Sequence, residues 1–120
     1  MKKILLADDE ENLRELVRTT LEDPDFEILD VPDGEQAVAV AQAERPDLIV
    51  LDWMMPGLTG PEVARKLRAI PDFADTPIVL LTAKGQDEDR RAGVEAGATC
   101  YLVKPFSPIE LMEIVQELVT

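Results

Sequence analysis

Four short, uninterrupted apolar runs punctuate the chain: Ile4 to Ala7, Leu48 to Leu51, Ile78 to Leu81 and Tyr101 to Val103. Apolar runs without polar alternation fit strands covered on both faces, as in a parallel sheet. A fifth segment, Phe26 to Val31, is broken by Glu27 and Asp30 and reads as a more exposed edge strand.

Helical patterns fill the intervals. Leu13, Leu16, Val17, Thr20 and Leu21 recur with the period of one helix face, and Leu111, Ile114, Val115 and Leu118 repeat most of that spacing near the C-terminus. Gly34 to Glu44 is Ala-rich, and Pro61 to Arg68 opens with a proline suited to a first helical turn. Gln86 to Glu95 offers only Ala92 and Val94 as core contacts, with Gly93 between them, so a helix there is loosely anchored and mobile.

Strand and helix alternate with no hairpin signal and no internal repeat. Five βαβ-type units with right-handed crossovers make a doubly wound α/β domain. At 120 residues, 1–120 form one domain. A composition of 46% hydrophobic and 31% charged residues is that of a folded globular chain.

Charge and composition narrow the chemistry. Twelve basic against 25 acidic residues give −13, which repels nucleic acid and anionic lipid and favours cations or basic partner surfaces. The chain has no histidine, which excludes His-based triads and most zinc sites. Cys100, the lone cysteine, reads as a buried thiol. The apolar runs are far too short to span a bilayer, and no signal-peptide pattern opens the chain. The expectation is a cytoplasmic protein with no membrane and no direct nucleic-acid partner.

In doubly wound folds, ligands sit beyond the carboxyl ends of the strands. Asp8 and Asp9 follow the first run, Asp52 ends the third, Thr82 the fourth, and Lys104-Pro105 follow the fifth. Singly, each has an ordinary explanation as a helix cap, a turn closer or a solvated lysine. Jointly, a parallel sheet gathers them into one crevice. Three carboxylates there call for a cation, and an oxygen-only donor set points to Mg²⁺ or a similar hard ion. A carboxylate nucleophile, a cation, an ammonium and a hydroxyl together read as phosphoryl transfer.

With these residues placed, the chain resembles the receiver domain of two-component response regulators, of which chemotaxis regulators are examples. The landmarks "LLADDE", "DLIVLDWMMPGLTG", "PIVLLTAK" and "GATCYLVKPF" occur in the family's order, and the resemblance spans essentially the whole chain. It implies a flavodoxin-like (βα)5 fold, with a parallel sheet of order 2-1-3-4-5 flanked by five helices. It also implies that Asp52 is the phospho-acceptor. Asp9, Asp52 and the Met54 backbone carbonyl would ligate Mg²⁺ directly, and Asp8 would act through bound water. Lys104 would pair with Asp52 or its phosphoryl group, Thr82 and the Ala83 amide would bind that group, and Tyr101 would change rotamer. The Lys104–Pro105 peptide would be cis. Trp53, Met54 and Met55 are expected as packing residues.

The implied function is acceptance of a phosphoryl group from a sensor histidine kinase or phosphotransfer protein. Phosphorylation would switch the face around Gln86 to Glu95 and Tyr101 toward a downstream effector. Such a domain is a timed switch with autodephosphorylation, not a conventional turnover enzyme. Thr59-Gly60 and Thr99-Cys100 stand where the family often has acids. The last helix, "PIELMEIVQELVT", lacks the basic residues of the dimerising transcription-factor subfamily, which argues against that particular dimer; a monomer is expected before phosphorylation. The chain fits a stand-alone receiver or a piece of a larger regulator. Three other readings compete. A haloacid dehalogenase-type aspartyl-phosphate phosphatase would need an acid where Met54 stands. A flavodoxin would need a phosphate loop where Asp-Asp-Glu-Glu stands. A receiver-like domain that signals by binding alone would not need Asp9, Asp52, Thr82 and Lys104 intact.

Overall fold

The computed structural model describes residues 1–83, 91 and 94–119. Its strands are β1 (Lys2–Ala7), β2 (Phe26–Val31), β3 (Leu48–Asp52), β4 (Ile78–Thr82) and β5 (Cys100–Val103). They form one sheet of order β2-β1-β3-β4-β5 in which every pairing is parallel. Among the described residues the helices are α1 (Glu11–Thr20), α2 (Gly34–Glu44), α3 (Gly60–Arg68) and α4 (Pro108–Val119), with a 3₁₀ turn at Pro71–Phe73. In the β4–β5 crossover, Arg91 and residues 94–96 are helical. Most of the weakly anchored segment expected over 86–95 lies outside the described residues.

The continuous apolar runs have the cause expected of them. Every residue of β3 and β4 is buried, because helices cover both faces of the sheet. Alternate strand residues feed two cores. Leu5, Ala7, Ile49, Leu51, Ile78 and Leu80 pack with Ala37, Ala41, Val63, Ala64 and Leu67 of α2 and α3. Ile4, Leu6, Leu48, Val50, Val79 and Leu81 pack with Val17 of α1, Leu21, and Leu111 and Val115 of α4. Each fully buried Leu or Ile contributes about 1.5–3 kcal/mol. Strand β2 is mostly half-buried, as its interrupted pattern predicted.

Local chemistry fixes the helix starts. Asp33 Oδ1 accepts from the Gln36 amide at 2.8 Å to cap α2. Thr59 and Glu62 form a reciprocal capping box on α3. Thr99 likewise has its own use, its hydroxyl oxygen accepting from the Ile78 amide at 3.0 Å. Helix α1 has no side-chain cap at Glu10; instead Asp8 Oδ1 accepts from the Glu10 amide at 2.8 Å.

Three details depart from expectation. Strand β1 begins at Lys2, two residues before its apolar run, because Lys2 and Lys3 pair in register with Phe26 and Glu27 while their side chains reach solvent. Leu16, placed on the core stripe of α1, is 47% exposed, because only Val17 of that helix turns fully inward. Cys100 is half-buried and packs at the edge of the second core.

Candidate functional site

The order β2-β1-β3 places the switch point between β1 and β3, where the first crossover leaves to one side and later ones to the other. Asp8 and Asp9 follow β1, Asp52 ends β3, and all three lie at that crevice. One carboxylate oxygen from each falls within 4.8 Å of the others. Lys104 Nζ donates to Asp52 Oδ1 at 3.0 Å and lies 3.7 Å from Asp8 Oδ2. The Lys104 amide donates to the Thr82 carbonyl at 2.7 Å, which ties β4 and the β5 exit together beneath that ammonium. The Lys104–Pro105 peptide is cis.

Burial sets the electrostatics. Asp8 is wholly buried and Asp52 nearly so, while Asp9 is exposed at the rim. Desolvation pushes the Asp8 carboxyl from its ordinary 3.8 up to about 6, against the opposing Glu10 amide and Lys104 charge. Desolvation also raises Asp52, opposed chiefly by its hydrogen bond from Lys104. Burial alone would lower Lys104, but the hydrogen bond and charge of Asp52, with Asp8 behind it, hold the ammonium above its ordinary value. Asp8 Oδ2 is buried and accepts no hydrogen bond. A buried oxygen in that state, beside two more carboxylates, fits a hard cation held by oxygen donors.

The other expected site residues are placed as follows. Thr82 is buried at the end of β4, and Ala83 is exposed just beyond it. Tyr101, half-buried on β5, stands level with Leu80 and packs against the first core. Trp53 is half-buried against that same core, in keeping with packing. The two methionines divide. Met55 is buried at 7%, whereas Met54 is 68% exposed, because the chain turns outward after Asp52 and alternation no longer points Met54 inward. Of residues 86–95, only Arg91, Val94 and Glu95 are described, so most of the expected switch face lies outside the described residues.

Two contributors escaped the sequence reading. Gly60 opens α3 directly behind Asp52, its amide donating to the Trp53 carbonyl at 2.9 Å. A Cβ there would stand 2.5 Å from the Asp52 carbonyl oxygen, so only glycine fits. Arg14, on α1, donates through Nη1 to the Asp8 carbonyl at 2.7 Å. Its only sequence signal is a basic residue one helical turn after a run of acids.

A parallel α/β sheet with an acidic crevice at its switch point is the arrangement expected of a receiver domain. The model of the response regulator receiver domain matches residues 4–116, and the chain belongs to that family. It is 46% identical over 111 residues to the phosphate regulon transcriptional regulatory protein PhoB of Pseudomonas aeruginosa, covering 92% of this chain and 48% of that protein. The chain thus spans about half the length of the curated relatives it matches. Its fold superposes on the Vibrio cholerae chemotaxis protein CheY4 with a TM-score of 0.92 and 38% identity, over 98% of both chains. The receiver domain of the P. aeruginosa sensor histidine kinase PA1611, with a magnesium ion coordinated in its active-site cleft, gives 0.89 and 34% identity over 98% of this chain and 97% of that one. The fold is therefore flavodoxin-like, and receiver domains signal instead of turning over a substrate. Among the described residues no helix is long and apolar enough to cross a membrane.

Proposed function

We propose that Asp52 accepts a phosphoryl group from the phosphohistidine of a partner kinase or phosphotransfer protein, and that the product is a signalling state of limited lifetime. The observation that carries this reading is the pairing of Asp52 Oδ1 with Lys104 Nζ at 3.0 Å inside a three-carboxylate cluster whose deepest oxygen lacks a hydrogen bond. Asp8, Asp9 and Asp52, with the Met54 carbonyl, would hold Mg²⁺. The cation supplies charge neutralisation for the phosphoryl oxygens.

In the transfer, Asp52 Oδ attacks phosphorus, a P–O bond forms, the P–N bond to the donor imidazole breaks, and the imidazole keeps the electron pair. Asp52 must be ionised to attack, and the Lys104 ammonium supports that state against burial. Lys104 then pairs with a phosphoryl oxygen, and Thr82 and the Ala83 amide donate to the others. Drawing Thr82 toward the phosphoryl group opens space for Tyr101, and the face formed with residues 86–95 changes shape for a downstream effector. The relatives named as transcriptional regulators carry about as much chain again; an output in gene regulation is consistent with that likeness.

The test is incubation with Mg²⁺ and acetyl phosphate, followed by intact mass. The expected product is one acid-stable, base-labile phosphate, absent in Asp52→Ala and strongly reduced in Lys104→Ala or without Mg²⁺. Labelling that survives Asp52→Ala would sink the mechanism. An unlabelled protein that still binds its effector would favour signalling by binding alone.

A further inference from the structure

Around Asp8 the hydrogen bonds form a closed circuit. The Asp8 amide donates to the Val31 carbonyl at the end of β2 at 3.1 Å. Asp8 Oδ1 accepts from the Glu10 amide at 2.8 Å. The Asp8 carbonyl accepts from Arg14 Nη1 at 2.7 Å, and Arg14 Nε donates to Asp30 Oδ2 at 3.2 Å. Asp30 precedes Val31, so the circuit returns to its start. Arg18 Nη2 donates to the same Asp30 oxygen at 3.0 Å and holds that carboxylate from its solvent side. The Arg14 and Asp30 side chains are only 17% and 21% exposed, so the bridge sits largely out of water.

The Asp8 carbonyl belongs to the peptide plane that joins Asp8 to Asp9. Holding that plane restrains the backbone torsions on either side of it, ψ of Asp8 and φ of Asp9, from which the two carboxylates leave the chain, and Asp8 Oδ2 is the one polar atom of Asp8 left without a hydrogen bond. From this we infer that Arg14, oriented by Asp30, is a positioning residue for the cation site: its guanidinium spans the β2 edge and the β1–α1 turn and holds Asp8 and Asp9 in ligating geometry. The inference rests on the cation-assisted reading above. It deepens that reading, because Arg14 touches neither Asp52 nor any proposed ligand oxygen.

The circuit makes a prediction opposite in sign to simple electrostatics. Arg14 is a positive charge beside an acidic cation site, so by charge alone its removal should tighten Mg²⁺ binding. If it braces the turn, its removal weakens binding. Arginine is also needed for its shape, since a lysine ammonium cannot reach a carbonyl and a carboxylate with two separate N–H groups of a rigid plane.

The experiment titrates the metal-free full chain with MgCl₂ at pH 7.5, following the fluorescence of Trp53, the single tryptophan, and the heat of binding by calorimetry. Melting temperatures are measured alongside in EDTA. Arg14→Gln is expected to weaken Mg²⁺ binding about tenfold, in the range seen when groups that orient metal ligands are removed. Arg14→Lys keeps the charge and is expected to weaken it severalfold. A merely structural role would lower the melting temperature in EDTA and leave the Mg²⁺ affinity where it was. Unchanged or tighter binding in Arg14→Lys overturns the inference, even if Arg14→Gln does not fold. Binding by the unaltered protein with no loss in the variants leaves the cation-assisted reading standing and removes only this one. An unaltered protein that binds no Mg²⁺ overturns both.

Discussion

Asp8 lies wholly out of solvent, and burial holds its carboxyl at about 6 instead of 3.8. A native-state value above the unfolded one means that the folded chain binds this proton more tightly. The group therefore stabilises the fold fully below about pH 4, and that contribution is lost as pH rises through about 6. The difference is worth up to about 3 kcal/mol. Asp52, also raised by burial, acts in the same direction. Lys104, raised by its carboxylate partners, keeps its charge throughout this range. In EDTA, the melting temperature should fall between pH 5 and 7.5, and Asp8→Asn should flatten that slope and raise stability at pH 7.5. Mg²⁺ should reverse the trend, stabilising the unaltered protein more at pH 7.5 than at pH 5 and leaving Asp8→Asn nearly unaffected. Thermal melts on the four combinations of protein and pH, each with and without Mg²⁺, check this. Equal pH slopes for the two proteins would refute the assignment of this pH dependence to Asp8.

At the scale of elements, the site depends on how α3 sits under the end of β3. Gly60 opens that helix with no side chain, and an added Cβ would meet the Asp52 carbonyl oxygen at 2.5 Å and Leu80 Cδ2 at 3.0 Å. Both obstacles belong to the buried centre of the sheet, so neither can move cheaply. Gly60→Ala is expected to cost about 1–3 kcal/mol by overpacking and to lower the rate of Asp52 phosphorylation by displacing its backbone. Denaturant unfolding and acetyl phosphate labelling measure the two effects; a variant as stable and as reactive as its parent would show that α3 can retreat freely. The same packing explains what the sequence made legible. Strands β3 and β4 are legible because both faces are buried, and Asp52, Thr82 and Lys104 can be read as one group because each stands at or just past a strand end. Leu16 was misplaced because helical period marks a wide stripe, whereas packing against the sheet takes only its centre. Arg14 gives only a faint signal because its partner, the Asp8 carbonyl, is a backbone atom that no side-chain pattern reports. Gly60 was passed over because a close backbone approach exists only once β3 and α3 are docked.

Across the whole molecule, the net charge of −13 bears on which surface receives a phosphodonor. Among the described residues the rim of the acidic crevice is not uniformly charged. Leu13, Leu16, Pro105 and Phe106 line a groove that Glu10 and Lys104 complete, so an apolar surface runs from the Lys104 ammonium onto α1. On the proposed function, Leu16, 47% exposed and outside both cores, is expected to contact a protein that brings its phosphohistidine to Asp52. A small donor needs no such contact. Leu16→Gln keeps a good helix former and removes apolar surface, so it should leave stability and acetyl phosphate labelling nearly unchanged. Transfer from an autophosphorylated histidine kinase that labels the unaltered protein should slow about tenfold, the cost of about 1.4 kcal/mol of lost contact. Leu16→Ala should give a smaller loss in the same direction, which separates apolar contact from any effect of the introduced amide. If both variants take phosphate from the kinase as fast as the parent while an Asp52→Ala control takes none, the donor docks elsewhere. The exposure of Leu16 would then have no part in recognition.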